Sequence, residues 1–368
     1  MPDPLPTLPT SRDQALERLR ALPTRAVVLL LGAPDTGKTS FVSGAVSALR
    51  SEGRTVAVVD CDLGQSEIGA PGTVGVALAV PGGEKEHRSL RDLAPIASYF
   101  VGAVTPARHM LDVCVGACQM ARVARKHRPD LILIDTDGWI QGGAACLFKR
   151  RLAELLLPQV VIALARGDEL SPLLTAFGHL KVPELVCVSS GPEIQRKPPA
   201  ARTTRRAARF LAALGEPHEI TLSWDDVSLA GTILGQGTPA PHHVAQFVGQ
   251  SLRLPVLHVE QSGGGGVYVV VNGERWAADG HVALESHFRT KSITIASAQK
   301  FAGLLLGLVN AQGALIDIGL LSRLDFRART ITIRTPCRRP GAVAQLWLGS
   351  LRLSPDCREK GETRPGEI

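Results

Sequence analysis

Gly32-Ala-Pro-Asp-Thr-Gly37-Lys38-Thr39 fits the spacing G-x-x-x-x-G-K-[ST], in which glycines let successive backbone N–H groups converge on phosphate oxygens. In that pattern the lysine reaches the β- and γ-phosphates, and the threonine hydroxyl ligates Mg²⁺. Gly32, Asp35, Thr36, Gly37, Lys38, Thr39 and Ser40 are therefore the expected triphosphate-binding residues. The second chemical signal is Asp60-Cys61-Asp62-Leu63-Gly64-Gln65. One carboxylate at such an edge can hold Mg²⁺ through water, while the other takes a proton from an attacking hydroxyl. The spacing leaves open which of Asp60 and Asp62 does which. Two residues apart on a strand, they are expected to share a face; capping of the following turn is the plainer alternative for either.

These residues need a scaffold. Ala26–Leu31 is a continuous apolar run ending in a glycine turn, the pattern of a central parallel strand, and Thr39–Leu49 continues as a helix. Thr55–Val59, Leu131–Ile134, Val160–Leu164 and Leu185–Val188 read as further buried strands, with a helix over Met110–Lys126. Ser11 is the expected N-cap of a helix running to Arg20. Strands alternating with helices imply an α/β fold with a doubly wound, mainly parallel sheet, whose ligands bind beyond the carboxyl ends of the strands. The character changes near Gly231. Val267–Val271 followed by Asn272-Gly273 is a hairpin signal, and the short runs after it read as strands. The expected organisation is an N-terminal extension with a short helix (1–25), a P-loop domain (26–232), a smaller C-terminal β-rich domain (235–353) and a frayed polar tail (354–368).

The formal charge is +7, most basic residues are arginine, and an excess of that size favours a polyanionic partner. An arginine-biased genome explains the same excess equally well. No apolar run reaches the ~18–20 residues of a membrane span, and the start lacks a secretory pattern, so a cytoplasmic protein without membrane association is expected. Seven cysteines without framework spacing agree with a reducing compartment.

Several ordered blocks resemble one family, the polynucleotide 5′-hydroxyl kinases of the mRNA-cleavage-factor and pre-rRNA-processing type. The loop carries Pro34 and Asp35 as the family's G-P-x-D-x-G-K-[ST] does, with the proline one position later. Asp60-x-Asp62-x-Gly64-Gln65 with Pro71-Gly72-Thr73 is similar to its D-x-D-x-G-Q…P-G-T segment. Thr136-Asp-Gly138-Trp139 resembles its T-x-G-W clasp, and Arg202-x-x-x-Arg206 its arginine lid. Phe100-Val-Gly102…Pro106 and the stretch from Phe301 to Pro336 add to the likeness.

The resemblance implies transfer of the γ-phosphate of ATP or GTP, with Mg²⁺, to the 5′-hydroxyl end of RNA, DNA or both. By the same resemblance, Lys38 and Thr39 hold the triphosphate and metal, Asp62 is the base or a water-mediated metal contact, and Trp139 stacks on the terminal base. Arg202 and Arg206 close over the phosphates, although Arg205 and Arg209 have the same spacing. Gln65, Thr136 and Gly138 complete the acceptor side. The structural alternatives are a core tryptophan at 139 and a solvated arginine face at 202–209. Only about 25 residues precede the first strand, where eukaryotic members carry a β-rich domain, which implies a compact bacterial or archaeal type. The aromatic pair that follows the family's lid is replaced here by Ala213-Leu214. A nucleotide-holding scaffold without turnover and a P-loop GTPase or ATPase are the competing functions. Protein partners are not legible.

Overall fold

The structure, a computed structural model, describes residues 10–82, 89–175, 177, 180–191, 198–364 and 367–368. Residues 1–9 of the expected N-terminal extension and 365–366 of the expected tail lie outside the described residues. The chain divides into two compact units, Met1–Arg209 and Phe210–Ile368.

The first unit comprises α1 (Arg12–Arg20), β1 (Ala26–Gly32), α2 (Lys38–Ser51), β2 (Val56–Asp60), β3 (Thr73–Ala79), β4 (Pro95–Phe100), α3 (Met110–Lys126), β5 (Leu131–Asp135), α4 (Gly143–Leu156), β6 (Val160–Ala165), α5 (Ser171–Leu174) and β7 (Glu184–Ser189). Most of α6 (Pro199–Leu214) also falls within it. A capping box starts α1: the Ser11 hydroxyl accepts from the Gln14 amide, and the Gln14 side chain accepts from the Ser11 amide. The strands form one sheet in the order β4-β3-β2-β5-β1-β6-β7. Five of them are parallel, and β3 and β4 run antiparallel at one edge, so the doubly wound, mainly parallel α/β sheet is present.

The apolar run at β1 follows from its place between β5 and β6, covered on both faces. Val27, Leu29 and Leu31 enter one core layer with Val113 and Ala117 of α3 and Phe148 and Leu152 of α4. Val28 and Leu30 enter the other with Leu19 of α1 and Phe41, Val42 and Val46 of α2. Alternation along a fully buried strand thus clamps β1 from two sides and fixes where its glycine turn emerges.

The second unit contains β8 (His218–Ser223), β9 (Ser228–Ala230), β10 (Thr238–Pro239), α7 (His242–Leu252), β11 (Val256–Gln261), β12 (Val267–Val271), α8 (Ala278–Phe288), β13 (Ile293–Ser297), β14 (Leu304–Val309), β15 (Leu315–Asp325), β16 (Thr330–Thr335), β17 (Gln345–Leu353) and β18 (Glu359–Glu362). One sheet has the order β10-β11-β12-β13; the other has the order β18-β17-β14-β15-β16-β8, with β9 on β17.

Three expectations change here. The division falls at Arg209 rather than after residue 232, because β8 pairs with β16 and β9 with β17. Asn272-Gly273 does not join a hairpin: the chain leaves β12 into α8 and returns as β13, parallel to β12. The antiparallel partner of β12 is β11, reached through Gly263–Gly266. Among its described residues the tail is not frayed. Its β18 pairs with β17, and Ile368 is only 2% exposed. Burying such a side chain contributes about 1.5–3 kcal/mol. Deleting residues 354–368 should therefore lower the unfolding free energy by about 2 kcal/mol or more, measured by urea denaturation; an unchanged midpoint would contradict the packing described.

Candidate active site

At the carboxyl edge of the parallel strands the chain encloses a cleft of about 770 Å³. The P-loop forms its floor. Gly37, at φ +82°, turns the chain into α2 in a left-handed conformation that glycine adopts without steric cost. Asp35 occupies the same region at φ +58°; its carboxylate pairs with Arg202 Nη2 at 2.5 Å and its carbonyl accepts from Arg166. Lys38 Nζ donates to the carbonyls of Gly32 and Ala33, at 2.8 and 2.9 Å. Burial lowers the pKa of that ammonium, and the nearby Asp135 and Asp62 carboxylates oppose the shift. An arriving polyphosphate would supply the missing counter-charge.

Of the expected phosphate-binding residues, Asp35, Gly37, Lys38, Thr39 and Ser40 line the cleft. Gly32 ends β1 and does not line it. Thr36 is fully buried, with its hydroxyl on the Ala33 carbonyl and its own carbonyl accepting from Ser190. It shapes the loop from beneath.

The two aspartates of the second signal separate. Asp62 lines the cleft; its Oδ1 accepts from the amides of Gly64 and Gln65, at 3.0 and 2.9 Å. Asp60 does not share that face, contrary to expectation, because the chain turns immediately after β2. Its Oδ1 accepts from Asp62 N at 3.0 Å, and its Oδ2 from Glu67 N at 2.6 Å, Ile68 N at 3.0 Å and the Ser66 hydroxyl at 3.3 Å. It is 2% exposed and absent from the cleft lining. Burial, then the neighbouring Asp135 and Asp62 carboxylates, push its acid up to about 8. Asp60 is the knot that ties the 60–68 loop, not a metal contact.

A carboxylate with an oxygen to spare stands instead at the end of the neighbouring strand. Asp135, at the end of β5, accepts the Thr39 hydroxyl on Oδ2 at 2.8 Å. Its Oδ1 is buried with no hydrogen-bond partner among the described residues, and burial pushes its acid up to about 6. A strand ending in an aspartate beside the P-loop was the available signal. No group of three or more His, Cys, Asp or Glu among the described residues could hold a metal ion. Mg²⁺ takes one or two protein oxygens and completes its shell with phosphates and water. The orphaned Asp135 oxygen beside Thr39 fits such an ion.

On the acceptor side, Trp139 is half-buried and lines the cleft, stacking on Phe148 with centroids 6.2 Å apart. Gly138 lines it too, under the P-loop; a Cβ there would meet Pro34 N at 2.6 Å, so only glycine fits. Thr136 does not reach the cleft. It is 1% exposed, its hydroxyl donating to the Leu30 carbonyl at 2.7 Å, which makes it a link between β5 and β1. Behind Trp139 lies a group missed in the sequence: Lys149 of α4, fully buried, pairs with Asp137 Oδ2 at 2.5 Å. Lysine inside the otherwise apolar stripe Phe148, Leu152, Leu156 was its signal.

The lid helix α6 brings Arg202, Arg205 and Arg206 to the cleft. Arg209 instead donates to the carbonyls of Glu67 and Gly69, at 3.3 and 3.0 Å, and anchors the helix. Arg205 pairs with Glu67, which also pairs with Arg91. Gln65 lines the cleft, and its Nε2 donates to the Arg202 carbonyl at 3.3 Å.

A glycine loop between a central parallel strand and a helix, with an aspartate at the end of the next strand facing its threonine, defines a P-loop nucleotide-binding domain. Residues 32–212 match the family described as mRNA cleavage and polyadenylation factor CLP1 P-loop. The chain is similar over nearly its whole length to archaeal proteins named polyribonucleotide 5′-hydroxyl-kinase. The protein of that name from Pyrococcus abyssi is 28% identical over 354 residues, covering 96% of this chain and 95% of its own. The one from Thermococcus kodakarensis is 29% identical over 361 residues, covering 98% and 97%. Among solved structures, wild-type Clp1p in its complex with Pcf11p aligns with a TM-score of 0.58 at 13% identity, covering 92% of this chain and 77% of that one; this likeness concerns the fold. No helix among the described residues is long and apolar enough to cross a membrane.

The separation of the two aspartates is open to measurement. Asp60→Ala strands several buried donors and should cost about 3 kcal/mol or more of stability, read by denaturant unfolding. Asp62→Asn keeps its Oδ1 acceptor and should stay within about 0.5 kcal/mol of the parent. Equal losses would show that both aspartates merely brace the loop.

Proposed function

We propose that this protein is a polynucleotide 5′-hydroxyl kinase that transfers the γ-phosphate of a nucleoside triphosphate to the 5′-hydroxyl end of a nucleic acid. One observation carries the reading: Lys38, Asp62, Trp139, Arg202 and Arg206 all line one cleft over a P-loop. The archaeal relatives' name, polyribonucleotide 5′-hydroxyl-kinase, supports the same activity and favours RNA as the acceptor. ATP or GTP is the donor.

The triphosphate lies on the loop amides and the α2 N-terminus, whose partial positive charge favours it. Lys38 leaves the Gly32 and Ala33 carbonyls for the β- and γ-phosphate oxygens. Thr39 and Asp135 would hold Mg²⁺, which would supply positive charge against the phosphate oxygens. Asp62 is the base: two amides hold its Oδ1, which leaves Oδ2 for the acceptor hydroxyl. As the 5′-oxygen forms its bond to the γ-phosphorus and the bond to the β-phosphate oxygen breaks, the hydroxyl proton passes to Asp62. Arg202 and Arg206 neutralise charge spreading over the transferred group; planar guanidinium forks suit that task better than lysine. Trp139 holds the terminal base by stacking, which tolerates any base. Alignment and charge neutralisation carry the rate.

Retention of the base and the lid arginines beside the P-loop favours turnover over a nucleotide-holding scaffold. A clasp tryptophan in the cleft favours an acceptor over simple hydrolysis.

Pure protein incubated with γ-labelled ATP or GTP and matched 5′-hydroxyl RNA and DNA oligomers should label the 5′ end. Lys38→Ala should lower that labelling by about 10³-fold or more while leaving the circular dichroism spectrum unchanged. Full activity in this variant would refute the assignment. Chelation of divalent cations should stop the transfer, and added Mg²⁺ should restore it; transfer that persists in chelator would remove the metal from the scheme.

A further inference from the structure

Lys149 lies on α4, ten residues beyond Trp139 in sequence, and its side chain is wholly buried. A buried ammonium needs a partner and further hydrogen bonds, because desolvation otherwise outweighs any attraction. Here both are present and both lead to the clasp. Nζ meets Asp137 Oδ2 at 2.5 Å and donates to the Asp137 carbonyl at 3.1 Å. The remaining oxygen, Asp137 Oδ1, accepts from the Trp139 amide at 2.8 Å. One carboxylate is thus held by the cation on one oxygen and holds the tryptophan backbone with the other. A second path runs through rings: Nζ sits 4.9 Å from the Phe148 centroid, and Phe148 stacks on the Trp139 indole at an interplanar angle of 29°. Backbone and indole of Trp139 therefore both refer back to one ammonium.

We propose that Lys149 is a positioning residue for the acceptor: through Asp137 and Phe148 it sets the Trp139 indole in the cleft and so governs how the terminal base of the 5′-hydroxyl strand is held. The proposal rests on the kinase reading above. A charge buried behind a flat ring has a particular virtue here. The clasp must receive different bases without shaping itself to any, so its orientation has to come from behind and not from the ligand.

The test compares two acceptors, a 5′-hydroxyl RNA oligomer and the same oligomer with an abasic first nucleotide, using γ-labelled ATP. Lys149→Met alone leaves Asp137 buried and uncompensated and risks the fold, so the double variant Lys149→Met/Asp137→Asn is assayed beside it; asparagine keeps the Oδ1 acceptor. In the parent enzyme, loss of the base should lower kcat/KM about tenfold or more, the worth of one base–aromatic stack. In the folded double variant the two acceptors should fall within about twofold of each other, while KM for ATP stays within about threefold of the parent. A purely structural lysine would leave the ratio between acceptors at its parental value once stability is restored, and that result overturns the proposal. A parent that labels both acceptors equally overturns the stacking role on which it depends. A parent that labels neither overturns the kinase reading, and this inference with it.

Discussion

A buried ammonium whose hydrogen bonds go to two carbonyl oxygens is an incomplete arrangement, and the site is organised around it. Lys38 sits at the start of α2 with its charge facing Gly32 and Ala33, where desolvation favours loss of its proton. The nearby Asp135 and Asp62 carboxylates oppose that loss, but each has a hydrogen-bond partner other than the ammonium. Asp135 takes the Thr39 hydroxyl, Asp62 takes two amides, and Asp60 is consumed by its own loop. The cheapest way to satisfy Lys38 is an anion from outside, and the convergent amides of the P-loop select polyphosphate.

The same logic extends to the cations around the cleft. Arg202, Arg205 and Arg209 each have an oxygen partner supplied by the P-loop or the 60–69 loop. The helix that carries them is therefore tied to the two loops that also carry Lys38 and Asp62. The Lys149–Asp137 pair holds the tryptophan through its amide. Loop, lid and clasp are positioned by three different charge pairs, and β1, gripped by apolar layers on both faces, holds them in register.

Much of this was legible in the sequence. The P-loop needs a fixed spacing and a strand–turn–helix context, and both are local, so Gly32 to Ser40 could be read directly. Five of the seven sheet strands announced themselves as apolar runs. The antiparallel pair β3 and β4 did not: Thr73–Ala79 contains a glycine and two alanines, and Pro95–Phe100 begins with proline and is partly exposed. Asp60 and Asp62 were misjudged because spacing along a strand says nothing of where the strand stops. One residue past β2 the backbone turns, and the two carboxylates diverge. Asp137, Lys149 and Glu67 depend on partners between 12 and 138 residues away. Such pairs are created by the fold and leave only indirect marks, such as a lysine within an apolar stripe.

The ion pair between Arg202 and Asp35 bears on how a catalytic cycle ends. A guanidinium that gripped only the transferred phosphate would have nowhere to go afterwards, and the newly charged strand end would be slow to depart. Asp35 offers Arg202 a resting place on the loop itself, so in the proposed cycle parting from the product would exchange one carboxylate or phosphate oxygen for another, without stranding a charge. Turnover in that cycle would not need the whole helix to swing into solvent.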